Sequence, residues 1–368
     1  MCEICEGINP GLSNVANARQ LGVSESTIRR HKAHYKEVTD PFFTDVPVEY
    51  ITSRGRSIRT EDGSWEKITY NPAKMALREA LSYDDLAHEF DKGLPKVSLE
   101  GLSRTHAAVL NVADLQIGKG NQRGGATEDT IRRAQEAVAR FIEHVSATRP
   151  ATIVVADNGD LIENLFNVKT QLVTNDKYLT EQIRLARRLM AWILRQVAPY
   201  APEVVYVAVP SNHGQARSDY KTPAGTVNDD FGLEVSYQIE DILEGRPEYA
   251  HIRFVRPESL YETAVLDVAG TRLAFNHGHR ASGGGDGHHK WWQGQDHGRM
   301  PGWDADILVV AHYHNLRVEQ SGNGRWIIQC SSGETSSDWF TDTKGESSLR
   351  GLTGFDVGNG QWFNLRIY

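Results

Sequence analysis

The sequence predicts an α/β fold made of two sheets flanked by helices. Three observations carry that reading. From about residue 105, short apolar runs alternate with stretches of helical periodicity. After about residue 250, strand candidates succeed one another with little helix between them. The chain has 368 residues, enough for two or three structural units.

Residues 1–40 form the first expected unit. The stretch "NVANARQLGVSESTIRRHKAHYK" reads as two short helices around a turn. Ala18 falls where such helices pack closely, Gly22 supplies the turn, Val23 plugs it, Ser24 caps the second helix and Ile28 points back inward. This stretch resembles a DNA-binding helix-turn-helix, and the resemblance implies that Ser26, Thr27, Arg29, Arg30 and Lys32 face DNA. Residues 1–36 hold five basic and three acidic side chains, so the unit is locally positive. There is little room before Asn14 for a supporting first helix, so the unit is expected to lean on the main domain or on a second copy. Cys2 and Cys5, with His31 and His34 downstream, have the ligand types of a zinc site without the spacing of a standard finger.

Residues 41–104 read as a connector or accessory subdomain. "VEYITSRGRSIRTEDGSWEKITY" alternates around Asp62-Gly63, a hairpin signal. "PAKMALREALSYDDLAHEF" reads as one broken helix or two short ones.

Residues 105–368 form the main domain. "HAAVLNVA", "ATIVVAD" and "EVVYVAV" are strand candidates, succeeded by helices near 128–147, 178–197 and 229–244. Further strands are expected near 251–255, 261–267, 271–276 and 305–312, with a β-rich tail.

The bulk composition narrows the partners. Hydrophobic residues make up 39% and charged residues 24%, an ordinary globular balance, and the net charge of −8 excludes a surface coated in basic groups. A nucleic acid would need a local basic patch. No apolar run reaches the length of a membrane span, so no membrane partner is expected. The start "MCEICEGINP" lacks a signal peptide's basic start and apolar core. Three cysteines do not make a disulfide framework, which fits a reducing cytoplasm.

The apolar runs share one kind of ending. "VLNVA" ends in Asp114-Leu115-Gln116, and "TIVVADN" in Gly159-Asp160-Leu161-Ile162-Glu163-Asn164. "VVYVAVP" ends in Ser211-Asn212-His213-Gly214, "RLAFN" in His277-Gly278-His279, and "ILVVA" in His312-Tyr313-His314. Any one of these could be a turn or a buried histidine. Five in succession point to a metal, because ligands gather beyond the carboxyl ends of strands in open α/β sheets.

The set resembles the calcineurin-like metallophosphoesterase superfamily, whose pattern runs D-x-H, G-D-x-x-[DE]-N, G-N-H-[DE], a His-Gly motif and G-H-x-H. The resemblance covers roughly residues 105–330. It implies a four-layer α/β/β/α sandwich with two divalent ions. One would be held by Asp114, Gln116, Asp160 and His314, the other by Asp160, Asn212, His277 and His312, with Asp160 bridging. It further implies hydrolysis through a metal-bridging hydroxide, with His213 protonating the leaving group or stabilising the transition state. His279 would hydrogen-bond a ligand or the phosphate.

Four positions depart from the pattern: Gln116 for His, Ser211 for Gly, Gly214 for the acid, and Ala311 for Gly. The amide oxygen of Gln116 is harder than imidazole and shifts preference toward manganese or magnesium, with iron and zinc the other options. A D-x-Q-[IL]-G-K start and a serine-type "SNHG" are similar to metallophosphoesterases encoded by actinobacterial phages, which would place the chain in a host cytoplasm.

The stretch "HGHRASGGGDGHHKWWQGQDHGRMPGW" offers Lys290, Trp291 and Trp292 to a phosphate and a base, unless its tryptophans pack on a sheet. Arg217 and Lys221 are further phosphate contacts. The leading expectation is a metal-dependent DNA nuclease, resembling the double-strand-break repair exonuclease branch, with a homodimer and a partner ATPase as further expectations. A phosphodiesterase or phosphatase acting on nucleotides or small esters is the alternative. A DNA-binding regulatory protein on a phosphoesterase scaffold is the alternative from another class.

Overall fold

A computed structural model describes residues 13–28, 51–59, 65–70, 94, 103–120, 125–167, 174–220, 222–282, 286–334 and 349–368. The chain divides into two compact units, Met1–Ala80 and Leu81–Tyr368.

In the first unit, helix α1 (Asn14–Leu21) starts at Ser13, whose hydroxyl accepts from Ala16 N, and ends at left-handed Gly22. Ser24 caps the next turn, its Oγ accepting from Thr27 N at 3.1 Å. Ala18 and Ile28 are buried together, with Leu21 and Val23 against them. Arg29, Arg30, His31, Lys32 and His34 lie outside the described residues, as do Cys2 and Cys5. Strands β1 (Ile51–Arg59) and β2 (Trp65–Tyr70) pair antiparallel, as the Asp62-Gly63 hairpin signal predicts, with a register shift between Thr52 and Arg56. Asp62-Gly63 itself and the helical stretch expected after β2 lie outside the described residues.

In the second unit, β3 (Ser103–Val112), β4 (Pro150–Asp157), β5 (Glu203–Ala208) and β6 (Ile252–Val255) run parallel. Their central positions are nearly all apolar because parallel strands are buried on both faces. The crossovers are α2 (Thr127–Thr148), α3 (Leu179–Val197) and α4 (Phe231–Leu243). On α2, the buried Ile131, Ala134, Val138, Phe141 and Val145 recur at helical spacing and form the stripe that docks.

The second sheet comes next in the chain. Strand β7 (Ala264–Val268) turns into β8 (Thr271–Phe275), then α5 (Gly287–Gly298) leads to β9 (Ile307–Val310), β10 (Arg317–Gln320) and β11 (Trp326–Gln329). Its order is β10-β11-β9-β8-β7. The tail, β12 (Thr353–Gly358) and β13 (Gln361–Ile367), returns to the first sheet and pairs antiparallel with β3, giving the order β13-β12-β3-β4-β5-β6.

Alternation along each strand sorts the side chains. Val109, Val154, Ala156, Val205 and Val207 from the first sheet meet Leu266, Leu273, Phe275, Ile307, Val309 and Ile328 from the second in one core. On the outer face of the second sheet, Trp292 of α5 packs with Ala274, Leu308, Val310 and Ile327. Helices therefore cover both outer faces. This is the four-layer α/β/β/α sandwich that the resemblance implies. Among the described residues, no helix is long and apolar enough to cross a membrane.

Candidate metal centre

The loops after β3, β4, β5, β8 and β9 come together because all five strands end on the same side of the two packed sheets. Hydrogen bonds between loops continue where the ladders stop. Asp114 N donates to Gly159 O at 3.0 Å, Gln116 N to Asp160 O at 2.9 Å, and Ala311 N to His277 O at 3.0 Å. His312 N donates to Asp114 Oδ2 at 3.2 Å, joining the two sheets.

Five of the candidate ligands have left-handed backbones: Asp114, Gln116, Asp160, His312 and His314. Such φ values are uncommon and unfavourable outside glycine, and they persist only where the surroundings enforce them. Gly159 (φ +94) shows why no side chain is tolerated between Asn158 and Asp160: a Cβ there would lie 2.5 Å from His277 Nδ1 and 2.7 Å from Ser211 Cβ.

One set of ligands converges. Donor atoms of Asp160, His277 and His312 all lie within 4.8 Å of one another. His277 Nε2 is 3.1 Å from Asp160 Oδ2 and 3.0 Å from Asn212 Oδ1. Its Nδ1 is 3.0 Å from Asn158 O. An Nδ1–H donated to that carbonyl leaves Nε2 for a ligand, as in many metal-bound histidines. One carboxylate, one amide oxygen and two imidazoles suit a divalent cation of the transition series.

The electrostatics favour positive charge here. Burial opposes ionisation of Asp160, but His277 and His213 outweigh it and hold its carboxyl well below the usual range. Burial pulls His277 down, yet Asp160 wins and lifts it to about 9. For His312, burial and the His277 charge win, and its pKa falls to about 4.

His213 sits at the rim, half-buried. Its backbone N–H donates to Asp160 Oδ1 at 2.8 Å, and its Nδ1 is 2.9 Å from Glu163 O. Nε2 is 3.9 Å from Asp160 Oδ2. Burial works against its proton, but Asp160 and Glu163 raise the pKa to about 8. The imidazole is therefore a proton donor near neutral pH.

Ser211 and Gly214 both pack against Asp230. Ser211 Oγ accepts from Asp160 N at 2.9 Å and Gly214 N at 3.1 Å. Ser211 N donates to Asp230 Oδ2 at 2.9 Å, while Asp230 Oδ1 caps α4 through Gly232 N and Leu233 N. A Cβ at Gly214 would lie 2.2 Å from Asp230 Oδ2. A side chain at position 214 would therefore collide with the carboxylate that caps α4.

The other set is arranged differently. Asp114 is fully buried, its Oδ1 3.3 Å from His314 Nε2. His314 Nδ1 is 2.8 Å from Glu334 Oε1, and burial is outweighed by Asp114 and Glu334, lifting its pKa to about 10. Gln116 Oε1 accepts from Lys119 Nζ at 2.6 Å. Lys119 also bonds Glu334 Oε2 at 2.6 Å, and Arg350 Nη1 reaches Glu334 Oε1 at 3.0 Å.

Substrate-contact candidates divide. The His279 ring lies 5.5 Å from His277 and 6.3 Å from His312; burial and the His277 charge drop its pKa to about 2, so it is neutral. Arg217 is near enough to Asp160 and Arg280 to feel their charges, and burial with Arg280 lowers its pKa. Lys290 is exposed on α5, and Trp291 packs partly buried against the Trp292 cluster on the outer face of the second sheet. Thr27 Oγ1 is 2.7 Å from Ser24 Oγ within the turn. Lys221 lies outside the described residues.

Sequence reasoning missed Lys119, Glu334 and Asp230. A usable signal existed for Glu334: "WIIQCSSGE" is one more apolar strand running into a polar end.

No protein-family profile matches the sequence, and no curated protein matches it. Among solved structures, a single-mutant Vps29 from Entamoeba histolytica is similar at 15% identity, covering 68% of this chain and 87% of that one, with TM-score 0.31. Wild-type Vps29 from the same organism, complexed with zinc, matches at 12% identity over 69% and 88%, TM-score 0.32. A conserved uncharacterized protein, described as a predicted phosphoesterase, from Streptococcus pneumoniae TIGR4 matches at 9% identity over 69% and 85%, TM-score 0.27.

Proposed function

We propose that this chain is a metal-dependent phosphodiester hydrolase acting on DNA. The observation that carries the reading is the convergence of Asp160, His277 and His312 within 4.8 Å, with His213 bonded to Asp160 beside them. A divalent ion bound at Asp160, Asn212, His277 and His312 would polarise a phosphoryl oxygen and lower the pKa of water. Manganese suits the mixed oxygen and imidazole donors.

The chain's own residues supply the rest. Arg217 attracts the anionic ester toward Asp160's side of the site. Neutral His279 offers a hydrogen bond without adding charge. Protonated His213 gives its proton to the leaving oxygen, and Glu163 holds the ring through its backbone carbonyl.

DNA as substrate is supported by the capped turn at Ser24 and by the basic residues after it in sequence. The net charge of −8 favours the second reading, a phosphodiesterase on small esters. One experiment separates them. Labelled single- and double-stranded DNA and bis-p-nitrophenyl phosphate are incubated with Mn²⁺, Mg²⁺ or EDTA, with Asp160→Ala in parallel. DNA cleavage that needs metal and vanishes in the variant is expected. Turnover of the small diester alone would establish the second reading. Tight metal-independent DNA binding with no turnover would favour the regulatory scaffold.

A further inference from the structure

We propose that the ammonium of Lys119 takes the place of a first ion, so that the chain works with a single divalent ion at Asp160, Asn212, His277 and His312. This inference rests on the reading of the strand-end cluster as a phosphoesterase metal centre and concerns how its positive charge is supplied.

One of the four first-ion candidates, Gln116, is already engaged by a cation of the chain. Lys119 Nζ lies 2.6 Å from Gln116 Oε1 and 2.6 Å from Glu334 Oε2. The Lys119 side chain is 16% exposed and that of Glu334 is 1% exposed, so the pair is shielded from water. A divalent ion ligated by the same amide oxygen would sit within about 2 Å of it. It would then stand beside the ammonium in a low-dielectric pocket, where like charges repel strongly. Gln116 is neutral and offers no charge to offset that repulsion.

The Glu334 carboxylate is already neutralised: Lys119 Nζ lies 2.6 Å from its Oε2 and Arg350 Nη1 3.0 Å from its Oε1. Glu334 also holds His314 Nδ1 at 2.8 Å, so Gln116, Lys119, Glu334 and His314 form one bonded chain. In the converging set, three groups close on one point: donor atoms of Asp160, His277 and His312 lie within 4.8 Å of one another, with His277 Nε2 3.1 Å from Asp160 Oδ2 and 3.0 Å from Asn212 Oδ1.

The local sequence makes the arrangement. In "DLQIGKG" the chain turns after Gln116, Lys119 N donates to Gln116 O at 3.0 Å, and the lysine side chain folds back onto the amide. Gln116 and Lys119 act as a pair: the amide accepts from an ammonium where an imidazole would ligate. Lys119 then supplies fixed positive charge beside the ion site.

The test counts ions. Full-length protein is equilibrated with excess Mn²⁺, freed of unbound metal, and assayed for manganese per chain and for its electron paramagnetic resonance spectrum. One ion per chain with the spectrum of an isolated Mn²⁺ is expected, and Lys119→Arg should keep that count. Lys119→Gln and Lys119→Met should take up two ions and show an exchange-coupled pair. Two ions in the wild type, or one in both wild type and the neutral variants, would overturn the inference and leave the phosphoesterase reading standing. No manganese in the wild type would overturn the metal centre itself, and this inference with it.

Discussion

The Ser211 hydroxyl receives two backbone N–H groups, those of Asp160 and Gly214. Groups that orient a metal ligand tune affinity without touching the ion. Ser211→Ala should therefore weaken Mn²⁺ binding by about 10–100-fold, read by titration, while circular dichroism stays that of the parent. Asp157 is a second informative residue. Burial pushes its carboxyl up to about 8 against the pull of Gly159 N, with Asp230 adding to the rise. Such a group binds more protons folded than unfolded between its ordinary 3.8 and about 8, so it lowers stability as pH rises through that window. Asp157→Asn keeps an oxygen for Gly159 N, which donates at 3.2 Å. In EDTA, the variant should gain at least about 1 kcal/mol over the parent at pH 8 and little at pH 4, measured by denaturant unfolding. An equal difference at both pH values would contradict this.

At the scale of elements, the site is made by strand ends, and its precision depends on what the strands and helices leave no room for. Gly159→Ala places a methyl 2.5 Å from His277 Nδ1 at a left-handed position. It should cost about 1–3 kcal/mol and displace His277, so stability and Mn²⁺ affinity should fall together. Trp292 tests the opposite case. It is buried on the outer face of the second sheet and its Nε1 donates to Gly302 O at 3.0 Å. Trp292→Ala should cost about 3–5 kcal/mol and leave the ion affinity of the folded fraction unchanged. The tryptophan offered by the sequence as a stacking partner for a base is, for Trp292, a core residue.

At the scale of the whole molecule, all the strand-end candidate ligands belong to the unit Leu81–Tyr368. A chain lacking residues 1–80 should bind Mn²⁺ as the full chain does and, if the first unit carries DNA, bind DNA more weakly in a gel-shift assay. The sandwich and the gathering of polar residues at strand ends were legible because both arise from local patterns: apolar runs of strand length, and polar groups immediately after them. Asp160, Asn212, His277 and His312 each sit in such a position. The return of β12 to pair with β3 was not legible, since strand pairing across the chain leaves no mark in a short window. The Lys119–Glu334 bond was hidden for the same reason, its partners being 215 residues apart. Asp230 was hidden because a helix cap and a support for Ser211 look alike in sequence. The most direct measurement is Mn²⁺ binding by equilibrium dialysis to the full chain, to Asp160→Ala and to His277→Ala. Saturable binding to the parent that is lost in both variants is the predicted result. Equal binding in all three proteins, or none in the parent, would contradict the metal centre described here.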